Sequence, residues 1–126
     1  MKRNLPSRTT LICLDLLWCA VILVLCLMPG DQIPKPGISI PYIDKIVHFG
    51  MFFIASFLAI PTLKRYYRLE EWKHIIITMI YICLLGGLTE YLQEFYFNRN
   101  GDIYDLAADI LGGATACICH LKLNWN

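Results

Sequence analysis

Charge is scarce in this sequence. Only 17% of its 126 residues are Asp, Glu, Lys or Arg, against about 25% in an ordinary soluble domain. Hydrophobic residues make up 57%, above the roughly 45–50% of such domains. Neither sign of charge is in excess: the formal net charge is +1, so nothing overall would attract a polyanion, and no nucleic-acid partner is expected. Recognisable catalytic signatures are missing too, with no nucleophile motif and no phosphatase-type signature. No cofactor is expected, and no tight ligand spacing such as His-x-x-x-His occurs, so no metal is expected either, although one built from His48 and the acids stays open. No Ala-x-Ala cleavage site follows the first apolar run, which is also longer than the 7–15 residues of a signal-peptide core.

Cysteine is present but not in the form of a disulfide framework. Cys13, Cys19, Cys26, Cys83, Cys117 and Cys119 all lie inside apolar runs, whereas disulfide scaffolds belong to small secreted domains that lack a core. They are expected to act as small hydrophobes packing between helices.

At this length a single domain is expected. Four apolar stretches, at about 10–28, 44–63, 74–97 and 103–121, predict four helices. At about 1.5 Å of rise per residue, each covers most of the roughly 30 Å of a hydrocarbon core. Only Asp15 interrupts the first stretch, and Pro61 falls in the last turn of the second. Between the first two lies a loop, residues 29–43, with prolines at 29, 34, 36 and 41. Proline removes backbone donors and disfavours helix before it, so this loop is expected to be extended and stiff. The expected architecture is an all-α, integral membrane four-helix bundle, with a lipid bilayer as its surroundings.

Lys and Arg set the expected orientation. Lys2, Arg3 and Arg8 precede the first helix; Lys64, Arg65, Arg68 and Lys73 lie between the second and third. The other connections hold only Lys35, Lys45 and Arg99. Both termini are therefore expected in the cytoplasm. Tyr66, Tyr67 and Trp72 would then lie at the inner interface, and Tyr42, Tyr96 and Tyr104 at the outer one.

That topology brings charged residues from three helices to one end of the bundle. Asp44, Lys45 and His48 open the second helix, Glu90, Gln93 and Glu94 close the third, and Arg99, Asp102, Asp105 and Asp109 surround the start of the fourth. Glu90 and Asp109 each fall on the order of 10 Å inside their helix ends, and His48 about 6 Å inside. The spacings, four from Asp44 to His48, three from Glu90 to Gln93, and i, i+3, i+7 through Asp102, Asp105 and Asp109, place each set on one helix face. Gly86, Gly87, Gly112 and Gly113 flank the cluster and would let helices approach closely. A charge inside a bilayer costs about 2.5–3.5 kcal/mol on insertion scales, so it usually faces the bundle interior and marks a site.

Asp44 and Asp102 read as helix caps, and Asp105 suits the positive end of a helix dipole. Glu90 and Glu94 lie at the wrong end for that dipole, and so does Lys45. Lys45 or Arg99 is therefore expected opposite Glu90. Six acids against two bases would hold protons, bind a cation, or both. Asp15 is expected to pair between helices, with Arg8 or His120 in reach, and His74 to have no special role.

These blocks, Asp44-Lys45-x-x-His48-Phe49, Glu90-x-x-Gln93 and Arg99-x-x-Asp102-x-x-Asp105-x-x-x-Asp109-x-x-Gly112, resemble the VanZ-like family of small bacterial membrane proteins. The resemblance covers residues 44–113 by motif and the remainder by helix order. Where many members carry Asn, this chain has Asp109. The resemblance implies a multi-pass protein of the bacterial cytoplasmic membrane, associated with resistance to teicoplanin-type glycopeptides. It implies an extracytoplasmic polar site that takes a lipid, a lipid-linked cell-wall precursor or a lipoglycopeptide. Three other readings stay open: a membrane hydrolase or transferase acting on a lipid or lipid-linked precursor, a polar zipper that only holds the helices together, and proton-coupled transport.

Overall fold

The computed structural model describes residues 6–28, 42–96 and 102–123. Its elements are four helices: α1 Arg8–Cys26, α2 Ile43–Tyr66, α3 Glu71–Tyr96 and α4 Ile103–Leu123, with no strand among the described residues. The expected proline-rich loop lies almost wholly outside the described residues, as does Arg99.

The helices begin and end beyond the apolar runs on the side of the α2–α3 connection. There α2 continues through Lys64 and Arg65, and α3 starts at Glu71. Lys64 Nζ donates to Glu71 Oε1 at 2.7 Å, which ties the two helix ends together. Hydropathy marks where hydrocarbon must stop, whereas backbone hydrogen bonds are satisfied inside a helix in either medium. Helix therefore continues past the apolar limit. At α1 the Ser7 hydroxyl accepts the Thr10 amide at 3.1 Å, a side-chain cap. Asp102 does the same for α4, accepting the Tyr104 amide at 2.8 Å. The start of α2 departs from expectation: its cap position is Tyr42, in the left-handed region with φ 59° and without a side-chain cap bond. Asp44 sits one residue inside the helix, where it engages Lys45 instead.

Contacts give an alternating, antiparallel bundle. The end of α1, the start of α2, the end of α3 and the start of α4 share one pole, linked by bonds from Gln93 to Cys26 and from Glu90 to Asp102. At the other pole Arg8 lies over the Tyr66 ring, 5.3 Å from its centroid, and His120 Nε2 is 3.3 Å from Glu71 Oε1. The start of α1 and the end of α4 therefore lie on the same side. The core joins Ile22 and Cys26 of α1, Met51, Phe52 and Ala55 of α2, and Ile82 and Leu85 of α3.

The outer surface is apolar. Leu16, Leu17, Val24, Leu84 and Leu111 are all at least 60% exposed. In water such a surface would be a liability, but all four helices are long and apolar enough to cross a membrane. The chain is a multi-pass membrane protein, its exposed side chains meeting lipid. Tyr42, Tyr96 and Tyr104 are exposed at one pole, and Tyr66, Tyr67 and Trp72 at the other, which gives the two aromatic belts.

None of the six cysteines forms a disulfide. Cys26 and Cys117 are buried between helices, but Cys13 and Cys83 are exposed, which corrects the expectation that every one packs inside. A thiol is apolar enough to face lipid. Asp15 meets the Thr62 hydroxyl, so its interhelical partner is neither Arg8 nor His120. His74 is buried, with Nε2 donating to the Tyr67 carbonyl at 3.2 Å.

Candidate functional site

The site depends first on how closely α2 and α4 approach. A Cβ built on Gly112 would lie 2.2 Å from the Phe49 carbonyl oxygen, so backbone meets backbone at this level. At Gly113 a Cβ would fall 2.9 Å from Ile82 and 3.0 Å from the Ser56 hydroxyl, which brings α4 close to α2 and α3 together. Gly86 faces Leu106 and Asp109. Gly87, by contrast, has nothing within 4 Å and belongs to the outer face.

The Gly112 contact lies next to His48 on one helix and one turn from Asp109 on the other. His48 Nδ1 and Asp109 Oδ1 are 2.8 Å apart; since a carboxylate only accepts, the imidazole N–H donates. His48 is 4% exposed and Asp109 fully buried. On the far side of the ring, Nε2 is 3.7 Å from Asp105 Oδ2, too long for a hydrogen bond.

Nearer the pole, Lys45 gathers the remaining acids of α2 and α4. Its ammonium donates to Asp44 Oδ2 and Asp102 Oδ2, both at 2.7 Å. Asp105 Oδ1 lies 3.1 Å away, close enough for an ion pair but without a hydrogen bond at that oxygen. The dipole of α2 disfavours a cation here, and these three carboxylates offset it. The Lys45 hydrogen bond holds the Asp102 carboxyl below the usual carboxylate range.

Glu90 is not opposite Lys45, one of its two expected partners; the other, Arg99, falls on residues outside those described. Its Oε2 accepts the backbone N–H of Asp102 at 2.7 Å. Glu90 is near the unfavourable end of its own helix, yet it reaches the favourable N-terminal end of α4. The positive charge it needs is supplied by a helix dipole and an orphan amide. Gln93 also departs from the cluster. It is 1% exposed, and its Nε2 donates to the Cys26 carbonyl, which ties α3 to the end of α1. Glu94 is exposed. Arg99 lies outside the described residues.

The polar pole thus has two layers. The outer one is Lys45 with Asp44, Asp102 and Asp105, partly open to solvent. The inner one is His48, Asp109 and Glu90. In the inner layer two carboxylate oxygens, Glu90 Oε1 and Asp109 Oδ2, are buried and have no hydrogen-bond partner. Sequence reasoning missed the main-chain groups: the Asp102 amide, the Cys26 carbonyl and the Phe49 carbonyl. Gly112 was the one signal available for the last of these.

Comparison with known proteins adds little about the chemistry. No family model matches the sequence, and no solved structure matches the fold. An uncharacterized protein of Schizosaccharomyces pombe is 28% identical over 103 residues, which cover 81% of this chain and 61% of that protein. The chain spans about six-tenths of the length of this relative.

Proposed function

We propose that this chain is a single VanZ-like domain of the bacterial cytoplasmic membrane. In this reading it contributes to teicoplanin-type resistance or envelope homeostasis through its polar pole. The observation that carries the reading is the buried inner layer of His48, Asp109 and Glu90. Three helices contribute to it, and it leaves carboxylate oxygens unused. A zipper serving only to join helices would pair those oxygens, because each unsatisfied buried acceptor costs about 1–3 kcal/mol. The Lys and Arg count puts the opposite pole, with Arg8, Lys64 and Arg65, in the cytoplasm. The polar pole then faces the outer leaflet, where a lipid, a lipid-linked cell-wall precursor or a lipoglycopeptide is found.

The test is teicoplanin susceptibility of a sensitive bacterial host that expresses the wild type or Glu90→Gln at equal membrane abundance. Resistance conferred by the wild type and lost in the variant is the expected outcome. Equal susceptibility of host, wild type and variant refutes the resistance reading.

One observation favours a second reading, a membrane hydrolase or transferase acting on a lipid or lipid-linked precursor. The His48–Asp109 hydrogen bond fixes the imidazole in the manner of a general base oriented by a carboxylate. Product formed from a lipid-linked precursor by purified wild type, and not by His48→Gln, would select it.

A further inference from the structure

The inner layer holds an arrangement that its hydrogen bonds do not explain. One imidazole nitrogen of His48, one carboxylate oxygen of Glu90 and one of Asp109 lie within 4.8 Å of one another. Asp109 is fully buried, yet its Oδ2 has no hydrogen-bond partner, and neither has Glu90 Oε1. Asp109 Oδ2 points toward α3 at Gly86, where a Cβ would come within 3.1 Å of it. Gly86 lies one helical turn before Glu90 on that helix, so the unused oxygen of Asp109 faces the Glu90 side of the site.

The layers differ in the cations that reach them among the described residues. Lys45 pairs with Asp44, Asp102 and Asp105, one ammonium against three carboxylates. Among the described residues no Lys or Arg contacts Glu90 or Asp109. With a neutral imidazole, the inner layer carries two negative charges in a setting where burial of unpaired charge is costly.

We infer that His48, Glu90 and Asp109 form a binding site for a first-row divalent cation of the Zn²⁺ type. Two carboxylates match its charge. The imidazole nitrogen selects a borderline ion over Mg²⁺ or Ca²⁺, which take oxygen ligands. Tetrahedral ligands held at about 2.1 Å from one ion lie about 3.4 Å apart, so ligand atoms within 4.8 Å of one another need close by at most about 1.4 Å. Three protein ligands leave a coordination position free for water or a bound molecule. This inference goes beyond the resistance reading and does not depend on it, since it concerns the protein alone.

The experiment uses the full chain purified in detergent and stripped with EDTA. Zn²⁺ and Mg²⁺ are the probes. Bound metal is counted after desalting, and apparent melting temperature is followed with and without each ion. The expected result is one Zn²⁺ retained per chain and a rise in melting temperature with Zn²⁺ that EDTA reverses and Mg²⁺ does not reproduce. His48→Gln, Glu90→Gln and Asp109→Asn should each weaken Zn²⁺ binding at least tenfold, and exposed Glu94→Gln should not. The inference is overturned if the wild type retains no Zn²⁺ and shows no Zn²⁺-dependent shift. It is equally overturned if folded inner-layer variants bind as the wild type does, or if Asp102→Asn abolishes binding while Glu90→Gln does not. Should the inner-layer variants not fold, the wild-type retention and melting shift still decide. No resistance phenotype enters the readout, so either reading can fail without the other.

Discussion

Replacing Gly112 with alanine would build a methyl group 2.2 Å from the Phe49 carbonyl oxygen, 3.0 Å from its carbonyl carbon and 3.1 Å from its Cα. Carbon and oxygen atoms pack at about 3.5 Å, so α2 and α4 must part by roughly 1 Å at this level. No flexible side chain can yield in their place, because the three nearest atoms are all backbone. Overpacking of this kind costs about 1–3 kcal/mol, and lengthening the close Gly112 contact adds the loss of any Cα–H···O attraction there. The same displacement acts on His48 and Asp109. Their hydrogen bond, 2.8 Å in the native protein, would lengthen to roughly 3.8 Å and cease to be one. Gly87→Ala is the matched control. It has nothing within 4 Å and replaces glycine in a helix with the better helix former, a gain of up to about 1 kcal/mol. Apparent melting temperatures in detergent should therefore move in opposite directions, down for Gly112→Ala and unchanged or up for Gly87→Ala. Equal behaviour of the two variants would refute the close-contact argument, and with it the account of how His48 and Asp109 are held together.

Two further outcomes follow from individual side chains. Gln93→Leu preserves bulk but removes the buried bond from α3 to the Cys26 carbonyl; a loss of about 0.5–1.5 kcal/mol is expected in chemical denaturation, without effect on Zn²⁺ retention. Asp102 is ionised more readily in the folded chain than when unfolded, because Lys45 hydrogen-bonds its carboxylate. Its contribution is then fully present above the ordinary carboxylate pKa of about 3.9 and is lost as pH falls through the lower folded value. The melting temperature of the wild type should fall more steeply than that of Asp102→Asn as pH is taken from about 5 to about 2, and parallel curves would contradict this.

The layered site shows where reading charges along a chain reaches its limit. Lys45 was one of two cations expected opposite Glu90, Arg99 being the other, because Lys45 and Glu90 each sit at the wrong end of their own helix dipole. Each inversion is resolved, but separately. Lys45 collects three carboxylates, one of them its neighbour Asp44, and Glu90 takes the amide of Asp102. A backbone amide carries no signature in the sequence, because every residue but proline has one. Gln93 failed for the same reason, since its partner is the Cys26 carbonyl.

What the sequence alone determined is the set of properties that depend on local composition and period. Four apolar runs of membrane-spanning length dictated four helices, and alternate crossing of the membrane dictated which ends share a pole. His48, Asp105 and Asp109 could be assigned to that pole because helical rise converts residue number into depth. Tertiary structure decided the rest. It alone sets the distance between α2 and α4 at Gly112, and so brings His48 within 2.8 Å of Asp109. It alone divides the acids into an outer layer paired with Lys45 and an inner layer that no Lys or Arg of the described residues reaches. The physical reason is one of range. Helix formation and hydrophobicity act through neighbours in sequence, whereas hydrogen bonds and ion pairs act over about 3 Å between atoms that only the packed bundle brings together.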